Sequence, residues 1–158
     1  MDKKSLETIF GELLVTHGFK KKASTWYRQG EGALQVVDLQ KSSFGMQFYI
    51  NLCCVPVGMS VEGMPTPKEH KCSIRIRLTS AFPEEKEEIE KILDLERRDI
   101  DNTMRLNQIT RITNQLVIPF LALMKDVTSL KRAMEKGRLK NALIDLAAQK
   151  HLGINEAR

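Results

Sequence analysis

The periodicity of the apolar residues changes twice along this chain, and that alternation constrains the fold more than any motif does. Leu6, Ile9, Phe10, Leu13 and Leu14 recur at three- and four-residue spacing, which predicts an amphipathic helix from about Lys3 to His17, stopped by Gly18. From Phe19 to Leu78 the period drops to two, and β-branched and aromatic residues become frequent, as strands require. Beyond Pro83 the helical spacing returns. Pro83 and the acids Glu84, Glu85, Glu87 and Glu88 suit a helix start, because proline tolerates the first turn and carboxylates favour the positive end of the helix dipole.

Four strands are predicted, at Phe19 to Arg28, Ala33 to Lys41, Gln47 to Val55 and Cys72 to Thr79. Short turn-rich links join the first three into an antiparallel meander, and a longer Gly- and Pro-containing loop from Pro56 to His70 precedes the fourth as the expected mobile loop. Helical stretches follow through Ile89 to Leu93, through Met104 to Leu116 with an interruption at Pro119, and through Phe120 to Leu130. The last holds Leu139, Leu143, Leu146 and Ala147. The expected class is α+β: an N-terminal helix, a four-stranded mostly antiparallel sheet over about residues 19–79, then three to four C-terminal helices, in one domain spanning 1–158.

Strand parity carries the main functional expectation. Phe48, Ile50, Leu52 and Cys54 share one face with Ile74, Ile76 and Leu78, and that face is expected to pack on helices. With Val37 and Leu39 inward, the opposite face carries Asp38, Gln40, Gln47, Tyr49, Asn51, Arg75 and Arg77, together with Cys53, Ser73 and Thr79. Such a face is either a solvated outer surface or a contact surface for an anionic or hydrogen-bonding partner, since arginine presents a planar fork of donors.

A second candidate is the basic, aromatic stretch Lys20, Lys21, Lys22, Trp26, Tyr27 and Arg28, which combines phosphate-pairing charge with stackable rings as single-strand nucleic-acid readers do. Alternating strand residues cannot all face one ligand, so one of the two adjacent aromatics belongs to the core. The lysines suit a solvated sheet edge that discourages strand addition. The net charge of +5 permits nucleic acid or an acidic partner without selecting either.

Catalytic chemistry finds no foothold in the pattern. No P-loop, dinucleotide fingerprint or nucleophile elbow is present. Adjacent Cys53 and Cys54 cannot both point at one ion without a bulge, so Cys53, Cys54, His70 and Cys72 do not make a tetrahedral metal set, no metal or cofactor is implied, and the cysteines read as small buried hydrophobes. The acids between Glu84 and Asp101 read as a solvated helix face, with Glu87 and Lys91 an ordinary four-residue pair. The three cysteines form no disulfide framework, the N-terminal segment lacks a signal-peptide core, and no run approaches transmembrane length, which together point to a reducing cytoplasm.

The strings GFKKKASTWYR, LQVVDLQKSSFGMQFYINL, CSIRIRL and VIPFLALMKDVTSLKRAM resemble the bacterial family catalogued as domain of unknown function 4304. The resemblance rests on Gly18 to Lys21, on Trp26 to Arg28, on Gln40 to Ser42, on Phe48 and Ile50 to Leu52, and on Arg75, Pro119 and Phe120. Arg77 departs from it, standing where the family pattern implies a glycine. The resemblance implies a small α+β domain and no assigned activity. The expected function is a non-enzymatic protein-interaction module of antidote or immunity type that uses the polar sheet face, with another protein or a second copy as partner. The alternatives are a nucleic-acid binder acting through Lys20 to Lys22 and Trp26 to Arg28, and an enzyme without a recognisable motif.

Overall fold

The computed structural model describes residues 1–59 and 66–154. Helix α1 spans Lys3–Val15. Asp2 caps its start by accepting a hydrogen bond from the Ser5 amide at 2.8 Å, and Gly18 follows its end at φ +87°, a left-handed position that glycine takes without strain. The strands are β1 (Lys20–Lys22), β2 (Thr25–Gln29), β3 (Ala33–Lys41), β4 (Phe48–Pro56), β5 (Ile74–Arg77) and β6 (Leu143–Ile144). The remaining helices are α2 (Leu78–Ala81), α3 (Lys86–Ile92), α4 (Asn102–Ile112), α5 (Ile118–Ala122), α6 (Val127–Glu135) and α7 (Leu146–Leu152).

One sheet contains six strands in sequential order, each antiparallel to the next, where four were expected. Both additional strands have a physical origin. The segment read as one strand from Phe19 to Arg28 folds back on itself at Ala23 and Ser24. Ala23 adopts φ +56°, a position where hairpin turns ordinarily use glycine, so the turn carries no sequence signal. At the other edge, Leu143 and Ile144 pair with Arg75 and Ile74. Leu139, Leu143 and Leu146 keep helical spacing, yet Leu143 and Leu146 are each 62% exposed, and the last helix starts only at Leu146, capped by Asp145. The fourth expected strand stops at Arg77 because Leu78 and Thr79 enter α2. The expected mobile loop from Pro56 to His70 lies partly outside the described residues, including Met64; Glu69–Lys71 form a 3-10 turn.

Helices cover one face of the sheet. Leu6, Phe10 and Leu14 of α1 share one core with Trp26, Val37, Leu39, Ile50, Leu52 and Ile76 of the sheet and with Ile109, Ile112, Leu116 and Phe120 of the later helical segments. Trp26 is fully buried, with Phe10 edge-on at 5.4 Å and Gly11 flush against its ring; a Cβ at Gly11 would lie 3.0 Å from Nε1. Between α4 and α5 the chain makes a π-helical turn over Thr113–Val117, in which the Ile118 amide donates to the Thr113 carbonyl. The turn sits immediately ahead of Pro119, whose missing N–H would break an α-helical ladder at that point.

Arg105 is the largest buried charged group, 2% exposed. Its guanidinium donates to the Ile92 carbonyl, to Asp94 O at 3.0 Å and to Arg97 O at 3.1 Å, so one side chain collects the carbonyls left open where α3 ends. Lysine offers a compact ammonium in place of a planar fork and cannot satisfy these divergent acceptors. Arg105→Lys is therefore expected to destabilise the fold by about 2 kcal/mol. Urea unfolding should show a lower midpoint at unchanged m-value, and an unchanged midpoint would remove Arg105 from this role.

Candidate functional site

Because β3 and β4 pair along nine residues from Ala33↔Pro56 to Lys41↔Phe48, the face turned away from the helices can be written as cross-strand rows. One row reads Thr25, Asp38, Asn51, Arg77; the next reads Tyr27, Val36, Cys53, Arg75; Gln40 lies opposite Tyr49. The first row is polar throughout. The second has an apolar middle, where Val36 and Cys53 join Leu34, Val55 and Cys72 in a small second core. The segment Thr66 to Cys72 covers that apolar half, tied down by the Tyr27 hydroxyl, which donates to the Pro67 carbonyl at 3.0 Å.

The polar half is linked side chain to side chain. Asn51 Nδ2 donates to Asp38 Oδ2 at 3.2 Å and to Gln40 Oε1 at 2.9 Å, while the Thr25 hydroxyl donates to Asp38 Oδ1 at 3.1 Å. Arg77 donates to Gln40 Oε1 at 3.0 Å and to Asn51 Oδ1 at 3.4 Å, and its guanidinium lies 4.1 Å from the Tyr49 ring centroid. Arg75 pairs with Glu69 at 3.5 Å. Gln40, Asn51, Arg75, Arg77 and Glu69 line a cleft of about 450 Å³ whose walls also include Ser80, Asn141 and Leu143. A neighbouring cleft of about 490 Å³ shares Gln40 and Glu69 and extends past Asp38 towards Lys22 and His70. Glu69, Ser80 and Asn141 had no signal in the pattern, because each is brought in by a turn or helix outside the sheet.

Six of the seven expected face residues, Asp38, Gln40, Tyr49, Asn51, Arg75 and Arg77, thus stand together. Gln47 does not. It precedes β4, bridges to Asp94, and donates its amide to the Glu90 carbonyl at 3.1 Å, so it fastens the sheet to the end of α3. Ser73 and Thr79, also expected outward, are buried. The basic, aromatic set is split up. Trp26 lies in the core and offers no face for stacking. Arg28 is held by the His17 carbonyl at 2.8 Å and Gln35 Oε1 at 2.6 Å, with its guanidinium over Phe19. Burial raises the Tyr27 phenol above its usual range. Lys20, Lys21 and Lys22 form the exposed edge strand β1; Lys21 reaches Glu7 at 3.8 Å, and Lys22 donates to the Thr66 hydroxyl at 2.9 Å.

A family model described as "Domain of unknown function (DUF4304)" matches residues 10–123. The chain belongs to this family. No curated protein and no solved structure matches it. The DUF4304 segment takes in β1 to β5 and the whole polar row, and ends just after α5, whereas Asn141 and Leu143 on the cleft wall lie beyond it. Within the DUF4304 segment Arg77, which stands where the resemblance implies a glycine, is the residue that joins Gln40, Asn51 and Tyr49.

Other chemistry is sparse among the described residues. No three His, Cys, Asp or Glu side chains converge as metal ligands do, and no helix is long and apolar enough to cross a membrane. In α3 the four-residue ion pair is Lys86–Glu90 at 4.0 Å rather than Glu87–Lys91. Cys53, Cys54 and Cys72 are free and buried. Burial pushes the Cys53 and Cys54 thiols well above their ordinary value of 9.0, with Cys72 adding to the effect on both. A thiol that stays protonated in the native state while the unfolded chain ionises makes stability fall as pH rises past about 9, by up to about 1.4 kcal/mol per pH unit for each thiol. Native protein should resist a soluble thiol reagent that labels it once unfolded, and Cys54→Ala should flatten the alkaline decline in stability. Fast labelling of the native protein would contradict this account.

Proposed function

We propose that this protein is a non-enzymatic interaction module, of antidote or immunity type, whose contact surface is the polar half of the outward sheet face. The observation that carries the proposal is the linked row Asp38, Asn51, Gln40 and Arg77, of which Gln40, Asn51 and Arg77 line one open cleft and Asp38 and Gln40 line its neighbour. Side chains already fixed by their neighbours lose little rotamer freedom when a partner docks, so more of the contact energy survives as affinity. Tyr49 and Arg77, stacked on each other, are residue types enriched where partners bind tightly. The lysine edge of β1 supports a different role, as charges that keep a second sheet from adding to the strand.

The test is quantitative co-purification with the full chain as bait. A partner that follows the wild type should be lost by about tenfold or more, worth roughly 1.4 kcal/mol, from Gln40→Ala and Tyr49→Ala baits of unchanged melting temperature. The same partner should be retained by a bait carrying glutamate at Lys20, Lys21 and Lys22. The reverse pattern, loss with the edge variant and retention with the face variants, rejects the face and moves the contact to β1.

A further inference from the structure

Arginines on a protein surface are commonly held by carboxylates, and among the described residues Arg75, Arg97 and Arg111 each have an acid partner. Arg77 and Arg138 do not. Each is instead set against aromatic rings: Arg77 over Tyr49 at 4.1 Å, Arg138 beside the Phe82 and Phe120 pair at 5.9 and 5.7 Å. A ring fixes the plane of a guanidinium while leaving its charge uncompensated. The clefts that hold these two arginines also share wall residues. The cleft that holds Arg77 and Arg75 meets a second cleft of about 490 Å³, which holds Arg138 and Lys140, at Ser80 and Asn141. Asn141 ties that junction by donating to the Ser80 carbonyl at 3.1 Å.

We infer that these joined clefts form one groove for an extended acidic segment of a protein partner, with one carboxylate at Arg77 and another at Arg138 and Lys140. The inference rests on the polar face being the contact surface, and it adds the chemistry of what binds there. Charge complementarity selects the occupant. A continuous phosphate chain would run against Glu69 and Glu84, which line the same two clefts, whereas carboxylates spaced by neutral residues can meet the arginines and miss the acids. The exposed neutral amides of Gln40 and Asn141 provide groups of the kind a peptide backbone pairs with, and exposed Leu143 offers an apolar contact on the wall.

The probe is a fluorescein-labelled peptide of alternating glutamate and serine, followed by anisotropy at low salt beside an oligothymidylate of equal charge. The peptide should bind saturably and more tightly than the oligonucleotide. Arg77→Gln and Arg138→Gln should each weaken it by about tenfold, with the effects adding in the double variant. Circular dichroism and melting temperature establish that each variant is folded. Absent peptide binding by folded protein, or binding indifferent to both substitutions, overturns the inference. Preferred oligothymidylate binding overturns it in favour of nucleic acid, and self-association abolished by Arg138→Gln overturns it in favour of a second copy. If the peptide fails while a partner that follows the wild-type bait is still lost from the Gln40→Ala bait, the face remains the contact surface and only its acid specificity falls.

Discussion

The nine-residue register between β3 and β4 is the constraint on which the rest of the molecule depends. Side chains alternate across a strand, so a slip of one residue in β3 would send Val37 and Leu39 to solvent and bring Asp38 into the helical core, and a slip in β4 would do the same with Ile50, Leu52 and Asn51. The register is pinned at both ends. At one end Ser42 N donates to Gln47 O at 2.8 Å, and Leu95 N donates to Met46 O at 3.1 Å, which ties the β3–β4 turn to the chain after α3. At the other end Val57 N donates to Gly32 O at 3.0 Å, and Gly32 lies so close to the link between α5 and α6 that a Cβ there would stand 2.4 Å from Asp126 Cβ. Sheet and helices therefore fix one another at the turns as well as through the core.

Polar groups inside the helical layer serve the same end. Arg105 gathers the carbonyls beyond α3, Gln35 donates to the Leu121 carbonyl at the end of α5, and the Thr113 hydroxyl donates to the Ile109 carbonyl at 2.8 Å where the π-helical turn begins. Each lies where a helix ends or its ladder changes pitch, which is where backbone carbonyls lose their regular partners. Burying a polar side chain at such a point satisfies an acceptor that the apolar core could not, and leaving that acceptor unpaired would cost on the order of 1–3 kcal/mol.

Legibility in the sequence follows from how locally each feature is encoded. The β3 range and the two faces of β4 were readable because Phe48, Ile50 and Leu52 alternate with Tyr49 and Asn51, whereas apolar Leu34 and Val36 beside Val37 left the faces of β3 ambiguous. The β1–β2 hairpin was not, because Ala23 takes a positive φ without the glycine or asparagine that usually announces one. Strand β6 was hidden by leucines at helical spacing, where pairing to β5 and the cap at Asp145 overrode the periodicity. Gln47 looked like a member of the polar face until its amide was found on the Glu90 carbonyl. The cleft walls were the least legible: Glu69 arrives on a 3-10 turn and Asn141 follows α6, and no local pattern reports such long-range approach.

The same distinction between local and long-range partners separates Arg77 from Arg75 as a site of recognition. Arg75 already has the Glu69 carboxylate at 3.5 Å, so an incoming anion must compete with an existing charge. Arg77 donates to the amide oxygens of Gln40 and Asn51, and exchanging a neutral acceptor for a carboxylate makes a charge-assisted bond roughly twice as strong. Tyr49 keeps the guanidinium in place during the exchange, and Gln40 Oε1, once released, still accepts from Asn51 Nδ2. The row is thus internally satisfied before a partner arrives and can trade a weak acceptor for a strong one without leaving a buried donor unpaired. For the acidic segment proposed above, that combination would let one set of side chains both stabilise the sheet face and select for acid, with the selectivity on Arg77.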